Sequence, residues 1–364
     1  MACYHPLFAV PYKLSHPKYG QYRILGSATR FKNLVDDFDS KAVDPVTGEY
    51  YEGIRIPCGR CVGCLLDRSR EMATRIVCES LDYPEDSNWF VTLTYGDDES
   101  RVNRYRVSRN DDDALILDKR HVQLFFKSLR EGYERKFGRR PYAVPIYYDE
   151  SLDREIELGT RFFMAGEYGD KTFRPHYHIC LLNTPLPDVY DFATTSTGCT
   201  LYRSPWLESL WKFGFVTIGK LTYKSAAYVA RYCMKKAGGY TREQYESIGL
   251  SPEFTNCSRR PGIGFLYCMK YGDHIFENDS IVLPSISKDQ KNVQSIPRYF
   301  DKIYAEIDPL TVAKVKSKRT EVAKLMNLSK LDFTDLNEEA YLHLQEQRVN
   351  DRAKNLIRQF SVLT

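Results

Sequence analysis

The chain has no uninterrupted apolar run of about 18 residues, and its start, MACYHPLFAVPYKL, has no basic stretch leading into an apolar one. Neither a membrane span nor a secretory signal is therefore predicted, and a cytosolic setting is the expectation. Thiols stay reduced there, so the ten cysteines are better suited to metal binding than to disulfides. A strong charge of one sign is also missing. Net charge is +4 with a pI of about 8.4, and any grip on nucleic acid must come from local basic clusters. There is no internal repeat, no low-complexity tract and no phosphate-cradling loop. The segment GFVTIGKL fits G-x4-G-K, but Leu221 stands where a Ser or Thr is needed for Mg²⁺, and FVTI favours a strand. No helicase motor is expected. What is present is 43% hydrophobic residues, ample for a core, together with 27 Tyr and 19 Phe that can pack inside or stack on unpaired bases.

Periodicity organises the chain. The first 57 residues, with their prolines and turn signals such as DPVTGEYYEG, predict no regular element. Val62 to Leu81 reads as a helix with Leu65, Met72 and Ile76 on an apolar side, and NWFVTLTY at 88–95 as a buried strand. After a polar loop, Asp118 suits the N-cap of KRHVQLFFKSLREGYERK, in which Val122, Phe125, Phe126 and Leu129 recur at helical spacing. RFFMAGE and PHYHICLLN, joined by YGDKTFR, predict a hairpin. A short helix at 205–213, a strand at GFVTIGKL and a helix at YKSAAYVARYCMKKA stopped by Gly238 and Gly239 follow. Two charged helical stretches lie beyond residue 303. Strand, helix, two strands, helix, strand, helix is the order of an α+β fold with an antiparallel sheet flanked by helices. The expected division is 1–84, 85–302 and 303–364.

Two segments carry chemistry. In RPHYHICLLN, residues 174–183, alternation puts His176 and His178 on one face with Cys180, and Tyr177, Ile179 and Leu181 on the other. Such a pair is either two hydrogen-bonded strand histidines or metal-ligand geometry. In SAAYVARYCMKK, Ala226, Ala230, Cys233 and Ala237 form a small-residue stripe, while Tyr228, Tyr232 and Lys235 gather on the opposite side. Packing tyrosines would join the stripe. A phenol with a pKa near 10 is a poor nucleophile until a cation or base helps remove its proton, and a lysine and a metal supply that help. HYH and YVARYCMKK together predict a phosphoryl-transfer site.

Cys58, Cys61 and Cys64 form C-x2-C-x2-C. A ferredoxin-type cluster would need a further cysteine where Arg68 stands, so structural zinc is the expectation, with Cys3 preferred as fourth ligand and His5 or Cys78 as rivals; three buried free thiols are the alternative.

From about residue 55 to 300 the ordered segments PCGRCVGC, FVTLTY, GEYGDKTFRPHYH, LWKFGFVTIG, AAYVARYCMKK and SRRPGIGF resemble the HUH superfamily of rolling-circle replication initiators, most closely those of gokushovirus-type microviruses. The resemblance implies an antiparallel sheet related to the RNA-recognition fold, with single-stranded DNA lying over it. It implies Mg²⁺ or Mn²⁺ held by His176, His178 and an acidic residue best matched by Glu167, which could otherwise be a solvated hairpin glutamate. It implies, too, attack by one of Tyr228 and Tyr232, with Lys235 completing YxxK, to leave a 5′-phosphotyrosine and a free 3′-OH at the viral origin. Arg259 and Arg260 of SRRPGIG would either touch phosphate or form a surface turn. The expected setting is the cytoplasm of an infected bacterium, with a host helicase as partner. A relaxase or single-strand transposase would share this chemistry. A hydrolytic nuclease would leave no protein adduct, and a non-catalytic single-strand binding module would need neither the histidines nor the tyrosines.

Overall fold

The structure, a computed structural model, describes residues 3–16, 20–28, 32–33, 41–43, 50–96, 108–110, 114–150, 153–169, 174–196, 198–238, 242–284 and 292–360. Side chains of 11–21, 29–52, 149, 232–242, 324, 327–328 and 353–364 are also outside the description. The polar loop at 97–107 and 111–113, the hairpin tip at 170–173 and Gly239 therefore lie outside the described residues.

Two compact units emerge, one from residues 1–67 with 314–364 and the other from 68–313. The larger is built on one seven-stranded sheet. Its strands, numbered within the sheet, are β1 (Trp89–Tyr95), β2 (Arg161–Tyr168), β3 (Pro175–Leu182), β4 (Tyr190–Thr194), β5 (Thr200–Arg203), β6 (Gly214–Lys220) and β7 (Phe254–Cys257). Their spatial order is β4-β5-β6-β1-β3-β2-β7, every pair antiparallel. The helices are α1 (Val62–Ser80), α2 (Lys119–Phe137), α3 (Pro205–Leu210), α4 (Tyr223–Gly238), α5 (Arg242–Ser247), α6 (Phe265–Asn278), α7 (Arg298–Tyr304), α8 (Pro309–Asp332) and α9 (Glu338–Phe360). The α+β antiparallel expectation holds, and GFVTIGKL is a strand as its β-branched residues suggest.

Alternation divides the sheet into two faces. Val91, Leu93, Tyr177, Ile179, Leu181, Val216 and Ile218 bury one face against Phe125, Phe126 and Leu129 of α2 and against Trp211. Each large apolar side chain so buried contributes about 1.5–3 kcal/mol. Polar atoms inside this layer are paired. The Tyr95 hydroxyl meets His121 Nδ1 at 2.7 Å and the Tyr177 hydroxyl at 2.9 Å, and Tyr177 donates to the Asp118 carbonyl at 2.6 Å. Burial pushes both phenols well above their ordinary range, so they stay neutral. Asp118 caps α2 by accepting from the Arg120 amide at 2.7 Å, and Gly138 ends that helix in the left-handed conformation.

Two expectations fail. The first 57 residues are not irregular: Leu7–His16 pairs with Gly20–Ser27 and with Ile54–Ile56 in a small sheet, and short strands occur at Lys32–Asn33, Lys41–Val43 and Tyr50–Glu52. The pairing shifts register at Phe8/Ala9 and again beyond Pro11, which breaks the alternation a strand would show in sequence. The stretch expected to be loop between the hairpin and α3 carries β4 and β5. All five residues of β4 are exposed, so this edge strand has no apolar face to announce it.

In the smaller unit, Leu342 and Val349 of α9 pack against Tyr4 and the cysteine cluster. His5 bonds Glu346 at 2.7 Å and Arg55 bonds Glu338 at 3.1 Å, fixing α9 by its charged side as well.

Candidate active site

The histidine strand β3 sits mid-sheet between β1 and β2, so neighbours on both sides project onto its polar face. His176 lies opposite Thr94 on β1 and Glu167 on β2; His178 lies opposite Thr92 and Ala165. The Thr94 hydroxyl is 3.0 Å from His176 Nδ1, and the Thr92 hydroxyl is 3.0 Å from His178 Nδ1. A hydroxyl that accepts the Nδ1 proton selects the tautomer whose Nε2 carries a lone pair, the usual way a neighbour prepares a metal-binding imidazole. Glu167 reaches diagonally across the strand pair to put Oε1 3.0 Å from His178 Nε2, and both side chains are only 5% exposed. It is thus not a solvated hairpin glutamate. A carboxylate this buried is tolerated only beside a positive or hydrogen-bonding partner.

The rings are held in turn. Phe90 stacks on His178 with planes 6° apart and centroids 5.8 Å apart, and the two histidine rings lie 6.2 Å apart. Gly169 ends β2 so close to His176 that a Cβ there would fall 3.0 Å from Nε2, which is why a residue without a side chain follows GEY.

Helix α4 packs over β2, β3 and β7. Ala226, Val229 and Ala230 have no exposed surface, and the half-buried Tyr228 projects its hydroxyl to 3.5 Å from His178 Nε2. Its ring meets His178 edge-on at 5.1 Å and Phe90 edge-on at 6.1 Å. Nucleophile, imidazole and carboxylate are thereby gathered on one face. Tyr232 and Lys235 belong to the same helix, but their side chains lie outside the described residues.

Two imidazole nitrogens and a carboxylate oxygen suit a divalent cation that keeps positions open for phosphate oxygens. Cys3, Cys58, Cys61 and Cys64 are more tightly drawn together: their sulfurs all lie within 4.8 Å of one another, with Cys58 and Cys64 4.0 Å apart and Cys61 and Cys3 3.9 Å apart. Edges of about 3.8 Å are what four sulfurs at the Zn–S bond length would span, so the set fits structural zinc. Among the described residues no other group of His, Cys, Asp or Glu is gathered as closely. The amides of Arg60 and Cys61 both donate to Cys58 Sγ. Burial acts to raise the Cys58 thiol, but these donors and the neighbouring thiols outweigh it and bring it down to about 7. The rival ligands are accounted for otherwise, since His5 binds Glu346 and Cys78 lies about 21 Å further along α1 than Cys64 at the helical rise.

Sequence reasoning passed over Thr92, Thr94 and Phe90, although the alternation of WFVTLTY marks them as one face. It also passed over Phe215, opposite Thr94 on β6 and 55% exposed, an aromatic surface on the His176 side of the sheet.

The family model for the replication-associated protein ORF2 matches residues 88–237, the span from β1 to the end of α4. The replication-associated protein ORF2 of Spiroplasma virus 4 is 33% identical over 305 residues, covering 83% of this chain and 85% of that protein. The replication-associated protein VP4 of Bdellovibrio phage phiMH2K is 30% identical, covering 74% of this chain and 75% of that protein. The replication-associated protein ORF4 of Chlamydia phage 1 is 29% identical over half of this chain and 38% of its own length. No solved structure matches the chain.

Proposed function

The chain belongs to the microvirus replication-associated proteins, and from that premise we propose that it initiates rolling-circle replication by nicking and rejoining single-stranded DNA at the viral origin through a tyrosine ester. The observation that carries this reading is the Tyr228 hydroxyl 3.5 Å from His178 Nε2, itself 3.0 Å from Glu167. A phenol sits within reach of the donor set that would orient a phosphate.

Tyr228 Oη attacks the phosphorus of the scissile phosphodiester in line with the 3′ oxygen. The tyrosyl O–P bond forms, the P–O3′ bond breaks, and the departing electron pair and a proton end on the 3′-OH that primes synthesis. The phenol proton is lost to solvent, and the ammonium of Lys235 favours the phenolate. His176, His178 and Glu167 would hold Mg²⁺ or Mn²⁺, which polarises the non-bridging oxygens of the phosphate when bound. Tyr232, one turn along α4, takes the second strand while the first end is still covalently held, and the reverse attack by the 3′-OH rejoins DNA without ATP. Thr92 and Thr94 orient the imidazoles, and Phe215 offers a ring on which an unpaired base stacks. Strand separation falls to a host helicase, and the work is done in the host cytoplasm. No described helix is long and apolar enough to cross a membrane. The thiol cluster takes zinc as a structural ion.

The test is to incubate the protein and Mn²⁺ with labelled single-stranded origin DNA and to run a denaturing gel. A protein-linked DNA band that disappears in Tyr228→Phe/Tyr232→Phe supports the reading. Cleaved DNA with no such band makes water the nucleophile and overturns it.

A further inference from the structure

The SRRPGIG turn is not used by the chemistry above, yet it is the most heavily braced turn among the described residues of the sheet unit. Gly262 N donates to the Tyr299 hydroxyl at 3.1 Å, and Arg161 Nη2 donates to the Pro261 carbonyl at 2.9 Å. Arg75 Nε donates to the Ile263 carbonyl at 2.9 Å while its guanidinium covers the Tyr299 ring at 3.9 Å. Gly264 N donates to Glu79 Oε2 at 2.6 Å. Gly264 has φ +81° and would bring a Cβ to 3.0 Å from Phe300, so glycine alone fits there. Glu79 and Arg161 beneath the turn are themselves a buried ion pair, 2% and 7% exposed. Burying two charges costs free energy that packing alone would not, and here both spend their remaining hydrogen bonds on the turn's main chain. A loop that merely reverses direction needs no such foundation.

What the foundation holds up is positive charge. Arg259 and Arg260 are exposed at the tip and line a cleft of about 280 Å³ with Arg130 of α2, over a floor that includes Phe126 and Phe162. Arg130 is steadied by its Nε bond to the Phe126 carbonyl at 3.0 Å, and Ser258 is tied to Phe162 through both its amide and its hydroxyl. The carboxylate at the rim, Glu157, is bonded by Arg140 at 2.9 Å, and the charge of Arg161 is met by Glu79. Three guanidinium groups from two separate elements thus share one cleft with no remaining carboxylate in its lining. Like charges brought together repel unless an anion joins them, and the planar fork of arginine matches phosphate oxygens.

We propose that this cleft is a second DNA site, a clamp of Arg130, Arg259 and Arg260 on the phosphodiester backbone of single-stranded DNA beyond the scissile phosphate. The proposal rests on the nicking reading for the identity of its ligand. Arg161 and Glu167 mark opposite ends of β2, about 20 Å apart at the strand rise, so a bound strand reaches the cleft several nucleotides from the reacting one. The clamp would keep a grip on the strand while an end is exchanged between tyrosines.

Binding of full-length protein to two labelled oligonucleotides, one barely spanning the scissile phosphate and one extending well past it, tests this across a salt series. In Arg259→Gln/Arg260→Gln the long oligonucleotide should bind about 10-fold more weakly, with the log–log salt slope falling by about 0.7 for each phosphate no longer neutralised. Binding of the short one, the melting temperature, and an exposed-charge control, Lys212→Gln/Lys302→Gln, should stay near wild type. Arg130→Gln should weaken only the long oligonucleotide, by a smaller factor. Unchanged long-strand affinity and slope in the double variant would overturn the proposal, as would an equal loss in the control. Loss of inorganic phosphate binding without loss of DNA binding would assign the cleft to a free anion and overturn it too. Binding is read without cleavage, so a missing covalent adduct beside an intact arginine effect sinks the nicking chemistry and leaves the clamp standing.

Discussion

The two candidate metal sites of this chain are assembled in opposite ways. His176, His178 and Glu167 come from adjacent strands of one sheet, and hydrogen-bonded register sets their spacing before any ion arrives. Cys3 and the Cys58–Cys64 loop come from segments more than fifty residues apart, held by a thin apolar layer of Tyr4, Leu342 and Val349. One site is furnished by the fold; the other furnishes part of it. An ion in the first supplies chemistry to a scaffold that stands without it, whereas an ion in the second replaces the core that a small unit cannot build for itself.

The sharpest way to break this contrast is to strip zinc. Cys61→Ser, or a strong chelator, removes an ion worth about 10 kcal/mol or more in small thiolate sites and should unfold the 1–67 and 314–364 unit, seen as loss of one mole of zinc and of amide-exchange protection in α9. A protected α9 without zinc would make the thiols ordinary packing. Next in size, His178→Ala should slow adduct formation by several kcal/mol of barrier, roughly a thousandfold, with zinc content and melting temperature near wild type. A fall in stability matching the thiol variant would erase the distinction. Thr92→Val tests the support beneath His178: about 10- to 100-fold in Mn²⁺ affinity, measured as the metal concentration for half-maximal nicking, with little change at saturation. Smallest, Phe215→Ala should weaken single-strand binding by about 1–3 kcal/mol without altering the metal dependence.

That same contrast governs what could be read in advance. The histidine face and the tyrosine helix are legible because period 2 and period 3.6 are local properties, and both survive in HYHICLL and SAAYVAR. Thr92 and Thr94 as partners of those histidines are not, because β1 pairs with β3 across some eighty residues of chain and only the strand order reveals it. Glu167 sits directly opposite His176 yet bonds His178, a diagonal that pairing alone would not supply. For the thiols, C-x2-C-x2-C is a local signal, while the approach of Cys3 and the docking of α9 are long-range facts with no periodicity to carry them. The N-terminal strands were hidden by register shifts around Pro11, and β4 by its exposure.

The central claim is that a tyrosine of α4 becomes joined to DNA, and the chain offers a direct way to see which one. Trypsin cuts after Arg231 and so separates SAAYVAR, with Tyr228, from YCMK, with Tyr232. Single-turnover reaction with origin DNA, nuclease trimming, digestion and mass spectrometry should find a nucleotide on SAAYVAR, the peptide whose tyrosine hydroxyl lies 3.5 Å from His178 Nε2. The account expects the mark to reach YCMK only after further turnover. Cleaved DNA with both peptides unmodified would contradict it.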